Sequence, residues 1–235
     1  MSDTSDSLFD DHDCEFDDVD ISLLPIVYQS PPITIPGLYI HHELIPEEIQ
    51  SEIISNLSFH PPDITQHVAF GKQPRHISNL DLYLENQLKG VINQTEHKKL
   101  FHQNLPRQSI VNVYGYDSSP RSYYLASHTD LAKFGEGVII VSLGTSIGMK
   151  FDSSTGESFE IFLKPGSILC MTDEARYNWT HGIVARTVDR VDKVGLLKRG
   201  IRIITTNKFM IFDIHIQNIF TDPLLRIKLK RKFIN

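Results

Sequence analysis

The sequence is poor in the features that mark secreted, disulfide-bonded or membrane-spanning proteins. It contains only two cysteines, Cys14 and Cys170, and neither lies in a C-x-x-C motif. We therefore expect no disulfide framework, and a reducing nuclear or cytoplasmic setting fits this cysteine usage. No window approaches eighteen uninterrupted apolar residues, so the sequence predicts no transmembrane helix and no membrane partner. The acidic N-terminus is unlike a secretory signal or a transit peptide, and we expect neither.

Basic residues are absent from the start of the chain, because no lysine or arginine precedes Lys72. Residues 1–71 carry 14 acidic groups, whereas the rest of the 235 residues carries 15 acidic and all 23 basic groups, a balance of +8. This mildly basic part permits an anionic partner such as nucleic acid without requiring one. The Asp- and Ser-rich residues 1–20 predict a disordered tail that is either simply solvated or engages a basic protein such as a histone.

The length fits one domain, which these patterns divide into four segments. They are a disordered acidic tail (1–24), an N-terminal extension (25–107), a core segment (108–215) and a basic C-terminal segment (216–235). The alternation in the C-terminal segment fits an edge strand, a solvated tail or a contact with nucleic acid. The sequence does not predict an oligomeric state.

The extension has two helical patterns. Pro46 and the acidic residues after it open a helix that runs to Asn56, with one apolar stripe of isoleucines and Leu57. A second, less regular helix is predicted over 81–91. Residues 60–78 show no periodicity and predict a loop or a short ribbon.

The residue pattern changes from Gln108 onward, where short runs rich in Val, Ile, Phe and Thr are separated by Gly, Pro, Asp and Ser turns. Strands at such close spacing predict a mainly β fold with flanking helices, arranged as a sandwich or a jelly roll. The predicted strands are Ser109–Tyr114, Val138–Leu143, Gly148–Phe151, Phe159–Leu163, Ser167–Met171, Gly182–Arg186 and Arg202–Thr206.

His128 is the only one of the 11 histidines with an aspartate two positions later, Asp130. In an extended chain this spacing puts an imidazole and a carboxylate on the same side. Fe(II) accepts such a mixed set, and two His with one carboxylate leave open positions for a cosubstrate and O₂. His181, just before a predicted strand, is the candidate third ligand, and a packed or capped histidine is the alternative. A rival H-x-E, starting at His41, lies at a helix entrance and is interpreted as a surface feature.

Three residues could bind 2-oxoglutarate as the cosubstrate. Arg202 lies on the last predicted strand, and its planar fork suits a carboxylate. Asn112 and Tyr114 alternate on an earlier strand, so they point to one face and offer an amide and a phenol. Either could instead be structural, since a buried Tyr hydroxyl usually finds some partner.

In this order the motifs resemble the AlkB family of Fe(II)- and 2-oxoglutarate-dependent dioxygenases, over roughly residues 108–208. The ordered set is Asn112-x-Tyr114, His128-x-Asp130, Ser142-Leu143-Gly144, Pro165-Gly166-Ser167, Arg176 five residues before His181, His181-Gly182-Ile183, and Arg202. Residues 176–183 particularly resemble the eukaryotic branch that modifies the tRNA wobble uridine. The homologue of that branch also carries RNA-recognition and methyltransferase domains. This sequence has no room for them, so the homologue's substrate is not carried over.

The resemblance implies a double-stranded β-helix (jelly roll) and an N-terminal extension that forms a substrate lid. It implies that His128, Asp130 and His181 ligate iron, and that Asn112, Tyr114 and Arg202 bind 2-oxoglutarate. The family pattern R-x-S-x-T-x-R ends here at Lys208, which keeps the charge but loses the bidentate fork. Ile204 replaces the Ser, and Arg199 is a nearby spare cation. Lys208 would be at most a weaker helper in cosubstrate binding.

Arg176 has three possible roles at this stage. It would contact the substrate, orient a metal ligand, or form a surface salt bridge. The implied activity is hydroxylation or oxidative demethylation of a modified or alkylated nucleic acid. A protein hydroxylase or demethylase of the same fold, acting for example on a histone, and a jelly-roll binding module without turnover are the alternatives.

Overall fold

The computed structural model describes residues 21–57, 65–103, 106–115, 117, 119–131, 134–200 and 202–210. Within these ranges the chain forms short 3₁₀ helices at Ile21–Leu23 and Pro120–Tyr123, four α-helices and thirteen β-strands. The helices are α1 (Glu47–Ser55), α2 (Arg75–Leu88), α3 (Gln94–Phe101) and α4 (Asp173–Tyr177). The strands are β1 (Ile26–Tyr28), β2 (Leu38–His41), β3 (Gln66–Phe70), β4 (Arg107–Tyr114), β5 (Leu125–His128), β6 (Phe134–Gly144), β7 (Ile147–Ser153), β8 (Ser158–Leu163), β9 (Ile168–Met171), β10 (Trp179–Ile183), β11 (Val188–Val191), β12 (Gly195–Lys198) and β13 (Arg202–Met210).

The strands form two sheets. One has the order β12-β11-β1-β8-β7-β10-β5, and the other has the order β2-β9-β6-β13-β4-β3. The strands from β4 to β10, together with β13, divide between the sheets as β8-β7-β10-β5 and β9-β6-β13-β4, and every pairing inside these two sets is antiparallel. This arrangement is a jelly roll, so the predicted mainly β fold with flanking helices is confirmed.

The core has two layers, which explains why β6 is apolar on both faces. Val138 and Ile140 point into the layer between the sheets. Ile139 and Val141 point into a second layer, which helices α1 to α3 cover. Because side chains alternate along a strand, only a strand covered on both sides reads as a continuous apolar run. The sequence run from Val138 to Leu143 is therefore the centre of the fold.

Residues 25–107 contribute strands to both sheets. Strand β1 lies between β8 and β11, β2 pairs with β9, and β3 pairs with β4. The segment predicted as loop or ribbon, 60–78, contains β3 and the start of α2, which begins at Arg75 rather than Asp81. The role of this extension as a substrate lid stays a prediction.

Several predicted features lie outside the described residues. They include the acidic residues 1–20 and the basic segment 216–235. Of the predicted tail, residues 21–24 are described and begin with a 3₁₀ turn. Among the described helices, none has the length and apolar character needed to cross a bilayer.

Candidate active site

Two of the three predicted iron ligands face each other across neighbouring strands. His181 on β10 is the register partner of His128 on β5. Their ring centroids are 4.5 Å apart, with the planes tilted by 47°. His181 shares the inner face of β10 with Trp179 and Ile183, both of which lie in the core between the sheets, and only 4% of it is exposed. The sheet thus brings two imidazoles, from residues 53 positions apart in the sequence, to one point.

Glycine at position 182 allows this close approach. A Cβ atom there would lie 2.8 Å from the carbonyl oxygen of Leu125 and 2.9 Å from the Cα of Ser127, both on β5. Any larger residue would push β5 away from β10 and separate the two histidines. The glycine that follows His181 is therefore required by the pairing of the strands that carry them.

The backbone fixes the tautomer of His128. Its Nδ1 lies 2.8 Å from the carbonyl oxygen of Ala126, which can only accept a hydrogen bond. The Nδ1 atom must therefore carry a proton, and in the neutral ring the Nε2 atom keeps its lone pair. Metal-binding histidines commonly donate their other N–H to a carbonyl in this way, which orients the ring.

Asp130 lies two residues beyond the end of β5 and is buried. Among the residues that the structure describes, no three His, Cys, Asp or Glu side chains are arranged closely enough to enclose a metal ion. The structure therefore brings the two imidazoles together but does not show the predicted set of three as an assembled cluster. The donor types nevertheless fit: two imidazoles and a nearby buried carboxylate are a set that Fe(II) accepts. The assignment of all three as ligands stays a prediction.

The outer faces of these strands are held together by polar side chains. Ser127 on β5 bonds to the carboxylate of Asp152 on β7 at 3.1 Å and to the hydroxyl of Thr180 on β10 at 2.9 Å. Burial alone would raise the pKa of Asp152, but bonds from Lys150, Ser158 and Ser127 hold it below its ordinary value. This network ties the two histidine strands, β5 and β10, to β7.

The predicted 2-oxoglutarate residues lie on adjacent strands of the other sheet. Tyr114 on β4 is the register partner of Arg202 on β13, and Asn112 is the partner of Ile204. Because residues two apart in a strand share a face, positions 112, 114, 202 and 208 all lie on one face of the sheet. Tyr114 is part of the core between the sheets, so this is the face that looks toward the two histidines.

The side chain of Asn112 is already engaged. Its Oδ1 accepts a hydrogen bond from Nε2 of Gln66 on β3 at 2.7 Å. Residues 202 and 208 are six positions apart, roughly 20 Å along the strand, which is too far for both to hold one carboxylate. The cosubstrate roles of Asn112, Tyr114, Arg202 and Lys208 stay predictions.

Arg199 is not the spare cation that the sequence suggested. It is buried, and its Nε and Nη2 atoms each donate to the carboxylate of Asp189 at 2.8 Å. Its Nη1 donates to the carbonyl oxygens of Val184 and Arg186 at 2.7 and 3.1 Å. A guanidinium with this many bonds to its own fold is not available to a cosubstrate.

Arg176 is buried rather than on the surface, with an exposed fraction of 1%. It lies on α4, and its guanidinium donates to carbonyl oxygens of the segment that begins at Asp130. Burial lowers the pKa of Arg176, while the charges of Asp130 and Tyr177 oppose this shift. An arginine nevertheless stays cationic in proteins. The alternative of a surface salt bridge is therefore wrong.

The rival H-x-E motif, His41-His42-Glu43, lies at the end of β2, and within the described residues the buried Nε2 atom of His41 has no hydrogen-bond partner. The ring of His42 lies 2.7 Å from the carbonyl oxygen of Gln29 and 3.2 Å from the hydroxyl of Ser167. Glu43 is exposed and forms an ion pair with Lys164 at 3.3 Å. These contacts of His42 and Glu43 fasten the end of β2 to the turn before β9, while the interpretation of the motif as a surface feature stays a prediction.

One element on this face, strand β3, lies in the segment for which the sequence left a loop or a short ribbon open. Strand β3 places Gln66, Val68 and Phe70 on the same face as Asn112, because their register partners on β4 are Asn112, Ile110 and Gln108. Its sequence signal is limited to Val68 and Phe70, separated by Ala69, and this pattern is short and half-polar.

Comparison with known proteins agrees with this geometry. The family profile described as "2OG-Fe(II) oxygenase superfamily" matches residues 71–206. The tRNA (carboxymethyluridine(34)-5-O)-methyltransferase ALKBH8 of Mus musculus is 28% identical over 183 residues, which are 71% of this chain and 27% of the relative. Protein L905 of Acanthamoeba polyphaga mimivirus is 34% identical over 108 residues, 45% of this chain and 49% of that protein. The chain thus spans about a quarter of the length of the ALKBH8 relative.

Among solved structures, that of OsALKBH1 has a TM-score of 0.51 at 14% identity and covers 75% of this chain and 99% of its own. At that identity the likeness supports the jelly-roll fold alone. The profile match covers more than half of the sequence and carries the family assignment. The chain therefore belongs to the 2OG-Fe(II) oxygenase superfamily, as a dioxygenase that requires Fe(II) and 2-oxoglutarate, and the AlkB-type resemblance of its motifs is confirmed.

Proposed function

We propose that this dioxygenase hydroxylates or oxidatively demethylates a modified or alkylated nucleic acid. When bound, Fe(II) and 2-oxoglutarate supply the oxidation: one oxygen atom of O₂ goes into succinate as CO₂ leaves, and the other enters a C–H bond of the substrate. On an N-methyl group the product then loses formaldehyde. His128, Asp130 and His181 would hold the iron, and Asn112, Tyr114 and Arg202 would hold the cosubstrate, with Lys208 as a weaker contributor.

The observation that carries the substrate class is an exposed apolar ridge on the same face of the sheet as the predicted cosubstrate residues. Val68 and Phe70 on β3 are 42% and 43% exposed, although they lie on the face that looks toward the other sheet. This face continues through Asn112 to Tyr114. An exposed aromatic ring on the face of the sheet that carries the predicted cosubstrate residues offers a stacking surface for a base that has been flipped out or is single-stranded.

The ridge continues into exposed cations. Lys72 follows Phe70 by two residues, and Arg75 opens α2; both are exposed. A stacking surface flanked by Lys and Arg is the combination by which proteins bind single-stranded nucleic acid, since the cations neutralise phosphates while the ring contacts the base. The name of the ALKBH8 relative, which refers to a tRNA uridine, points to the same substrate class.

The first experiment measures succinate release with panels of methylated RNA and DNA oligonucleotides and with methylated histone peptides. We expect stimulation above the uncoupled rate by one of the nucleic acids. Stimulation by a histone peptide alone would contradict the proposal and favour the protein hydroxylase.

A matched pair of variants tests the ridge itself. Stacking on one base contributes about 1–3 kcal/mol, so Phe70→Ala should raise the KM for the oligonucleotide about 5- to 150-fold and leave uncoupled turnover unchanged. The control is Leu82→Ala, since Leu82 is also exposed but lies on α2 outside its packed side. Replacing both Lys72 and Arg75 by Ala should reduce the slope of log K against log salt by about 1.4 on a single strand. Equal effects of Phe70→Ala and Leu82→Ala would refute the role of the ridge.

A further inference from the structure

The side chain of Arg176 joins α4 to the segment that connects β5 with β6. Its Nη1 donates to the carbonyl oxygen of Asp130 at 2.8 Å. Its Nη2 donates to the carbonyl oxygens of Leu131 and Phe134 at 2.8 and 2.9 Å. A planar guanidinium can make several such bonds at once in a fixed geometry, so one side chain determines where three carbonyl groups of this segment lie.

Helix α4 is itself firmly anchored, so Arg176 extends from a fixed base. The backbone N–H of Ala175 donates to the carbonyl oxygen of Pro36 at 3.0 Å. The ammonium of Lys99 on α3 lies 2.6 Å from the carboxylate of Asp173, and the hydroxyl of Thr172 donates to the buried carboxylate of Glu96 on α3. These contacts hold both the start and the middle of this short helix against the rest of the fold.

Two of the predicted iron ligands, Asp130 and His181, are thus both connected to α4. His181 follows α4 on β10, five residues after Arg176. Asp130 is connected to α4 through the guanidinium. We propose that Arg176 is a positioning residue, which holds the carbonyl groups of Asp130, Leu131 and Phe134 so that the Asp130 carboxylate can bind the same metal ion as the two histidines. This inference rests on the proposed role of Asp130 as an iron ligand.

The burial of Arg176 separates this role from substrate contact. Its guanidinium is directed at backbone carbonyls within the fold, so a substrate at the surface cannot reach it. Losing it should therefore weaken metal binding. Oxidation of the nucleic-acid substrate and 2-oxoglutarate turnover without that substrate should then fall together, because both need the metal. A substrate-contact residue would instead affect the first more than the second.

Metal affinity can be measured without turnover by following Trp179, the only tryptophan in the sequence. It lies two residues before His181 on the same face of β10, so a paramagnetic ion bound at His181 should quench its fluorescence. The probe is Co(II), titrated into the full chain. We expect Arg176→Met to weaken Co(II) binding 10- to 100-fold, the range found when residues that orient metal ligands are removed. Arg176→Lys should fall between this variant and the wild type, because an ammonium can keep some but not all of the three bonds.

The matched control is Arg199→Lys. Arg199 is also a buried arginine that donates to two backbone carbonyls, but its partners lie around Asp189 instead of Asp130. This variant should lose stability and keep its Co(II) affinity within about threefold, a difference of about 0.7 kcal/mol. His181→Ala and Asp130→Ala serve as ligand controls, and circular dichroism establishes that each variant is folded.

The outcomes separate this inference from the proposed function. If Asp130→Ala binds Co(II) like the wild type, the ligand set is wrong and the inference falls with it. If Asp130→Ala loses binding while folded Arg176→Met keeps the wild-type affinity, the inference is overturned and the ligand set stands. If Arg176→Met does not fold, Arg176→Lys decides by the same criterion. Weakened binding in the Arg176 variants but not in Arg199→Lys supports the inference.

Discussion

Asp189 is the centre of a buried ionic cluster, and its replacement by Asn is the sharpest test of what holds this fold together. Its carboxylate accepts bonds from Arg199 and from Nε of Arg186 at 2.8 Å, and from the backbone N–H of Gly148 at 2.9 Å. Arg186 also donates to the buried carboxylate of Glu160 at 2.9 Å. Asp189→Asn keeps the size of the side chain but leaves two guanidinium groups facing one carboxylate.

The magnitude follows from the burial of the cluster. Removing one partner of a buried ion pair costs about 3–5 kcal/mol, because the other charge stays buried without compensation. A protein of 150–250 residues loses about 2–4 °C in Tm per kcal/mol. Asp189→Asn should therefore lower the Tm by about 6–20 °C, measured by thermal circular dichroism at pH 7.

The same cluster gives a pH dependence with a definite sign. Burial alone would raise the pKa of Asp189, but the bonds and charges of Arg199 and Arg186 outweigh it and hold the pKa below its ordinary value. The carboxylate therefore contributes stability above the unfolded pKa of about 3.9, and this is lost as the pH falls through the folded-state value. The difference in stability between the wild type and Asp189→Asn should shrink below about pH 4.

A neighbouring aspartate provides the control. Asp192 lies three residues later, just past the end of β11; its side chain is 39% exposed and 4.0 Å from Lys193. An exposed pair contributes at most about 1 kcal/mol, so Asp192→Asn should lower the Tm by less than about 4 °C. If Asp189→Asn is no more damaging than Asp192→Asn, the cluster does not stabilise the fold in the way argued above.

Three further outcomes are expected. His128→Ala and Asp130→Ala should each abolish succinate production without changing the circular dichroism spectrum, and wild-type production in either variant would remove that residue from the iron site. Arg202→Ala should raise the 2-oxoglutarate concentration needed for half-maximal turnover about tenfold or more for each charge-assisted bond lost, because such a bond contributes about 1.5–3 kcal/mol. Lys208→Ala should raise it much less. If Lys208→Ala is the more damaging change, the carboxylate is held elsewhere on β13. Burial raises the pKa of the Cys170 thiol to about 12, so at pH 8 only on the order of 10⁻⁴ of it is thiolate. In a variant without the other cysteine, a thiol reagent should react only after unfolding, and rapid labelling of the native protein would refute its burial.

Strands that are buried on both faces could be predicted from the sequence, whereas strands that depend on distant partners could not. Strand β6 is of the first kind: its apolar run predicts a strand over Val138–Leu143, and the observed strand extends from Phe134 to Gly144. In contrast, β3 is half exposed and forms only because β4 supplies its hydrogen bonds. Its alternation is too short to separate it from a loop.

The starts of helices α2 and α3 each carry a recognisable sequence signal. Helix α2 begins after Pro74, and its buried residues Ile77, Leu80, Leu84 and Leu88 follow the helical period from the first turn onward. Asn93 caps α3 by accepting a bond from the backbone N–H of Glu96 at 2.9 Å. An N-cap residue with a glutamate three positions later is a recognised start signal. Both helix starts were therefore available in the sequence.

The contacts of the candidate site residues could not be predicted from the sequence. The pairing of His128 with His181 follows from a register that no local pattern contains. The burial of Arg176 depends on the path of the chain after β5, which the sequence spacing does not give. Likewise, no local pattern shows that Arg199 binds Asp189 and is therefore not available to the cosubstrate.

The position of β1 has a consequence for how the chain reaches its folded state. This three-residue strand runs parallel to both of its neighbours, β8 and β11, whose paired residues come more than 130 positions later. A ribosome must therefore release most of the chain before β1 can dock, and closing so long a loop is entropically costly and slow. Until then the facing edges of β8 and β11 remain open to other chains. Deleting residues 1–28 would make that exposure permanent, so the shortened protein should aggregate even though it retains every predicted active-site residue.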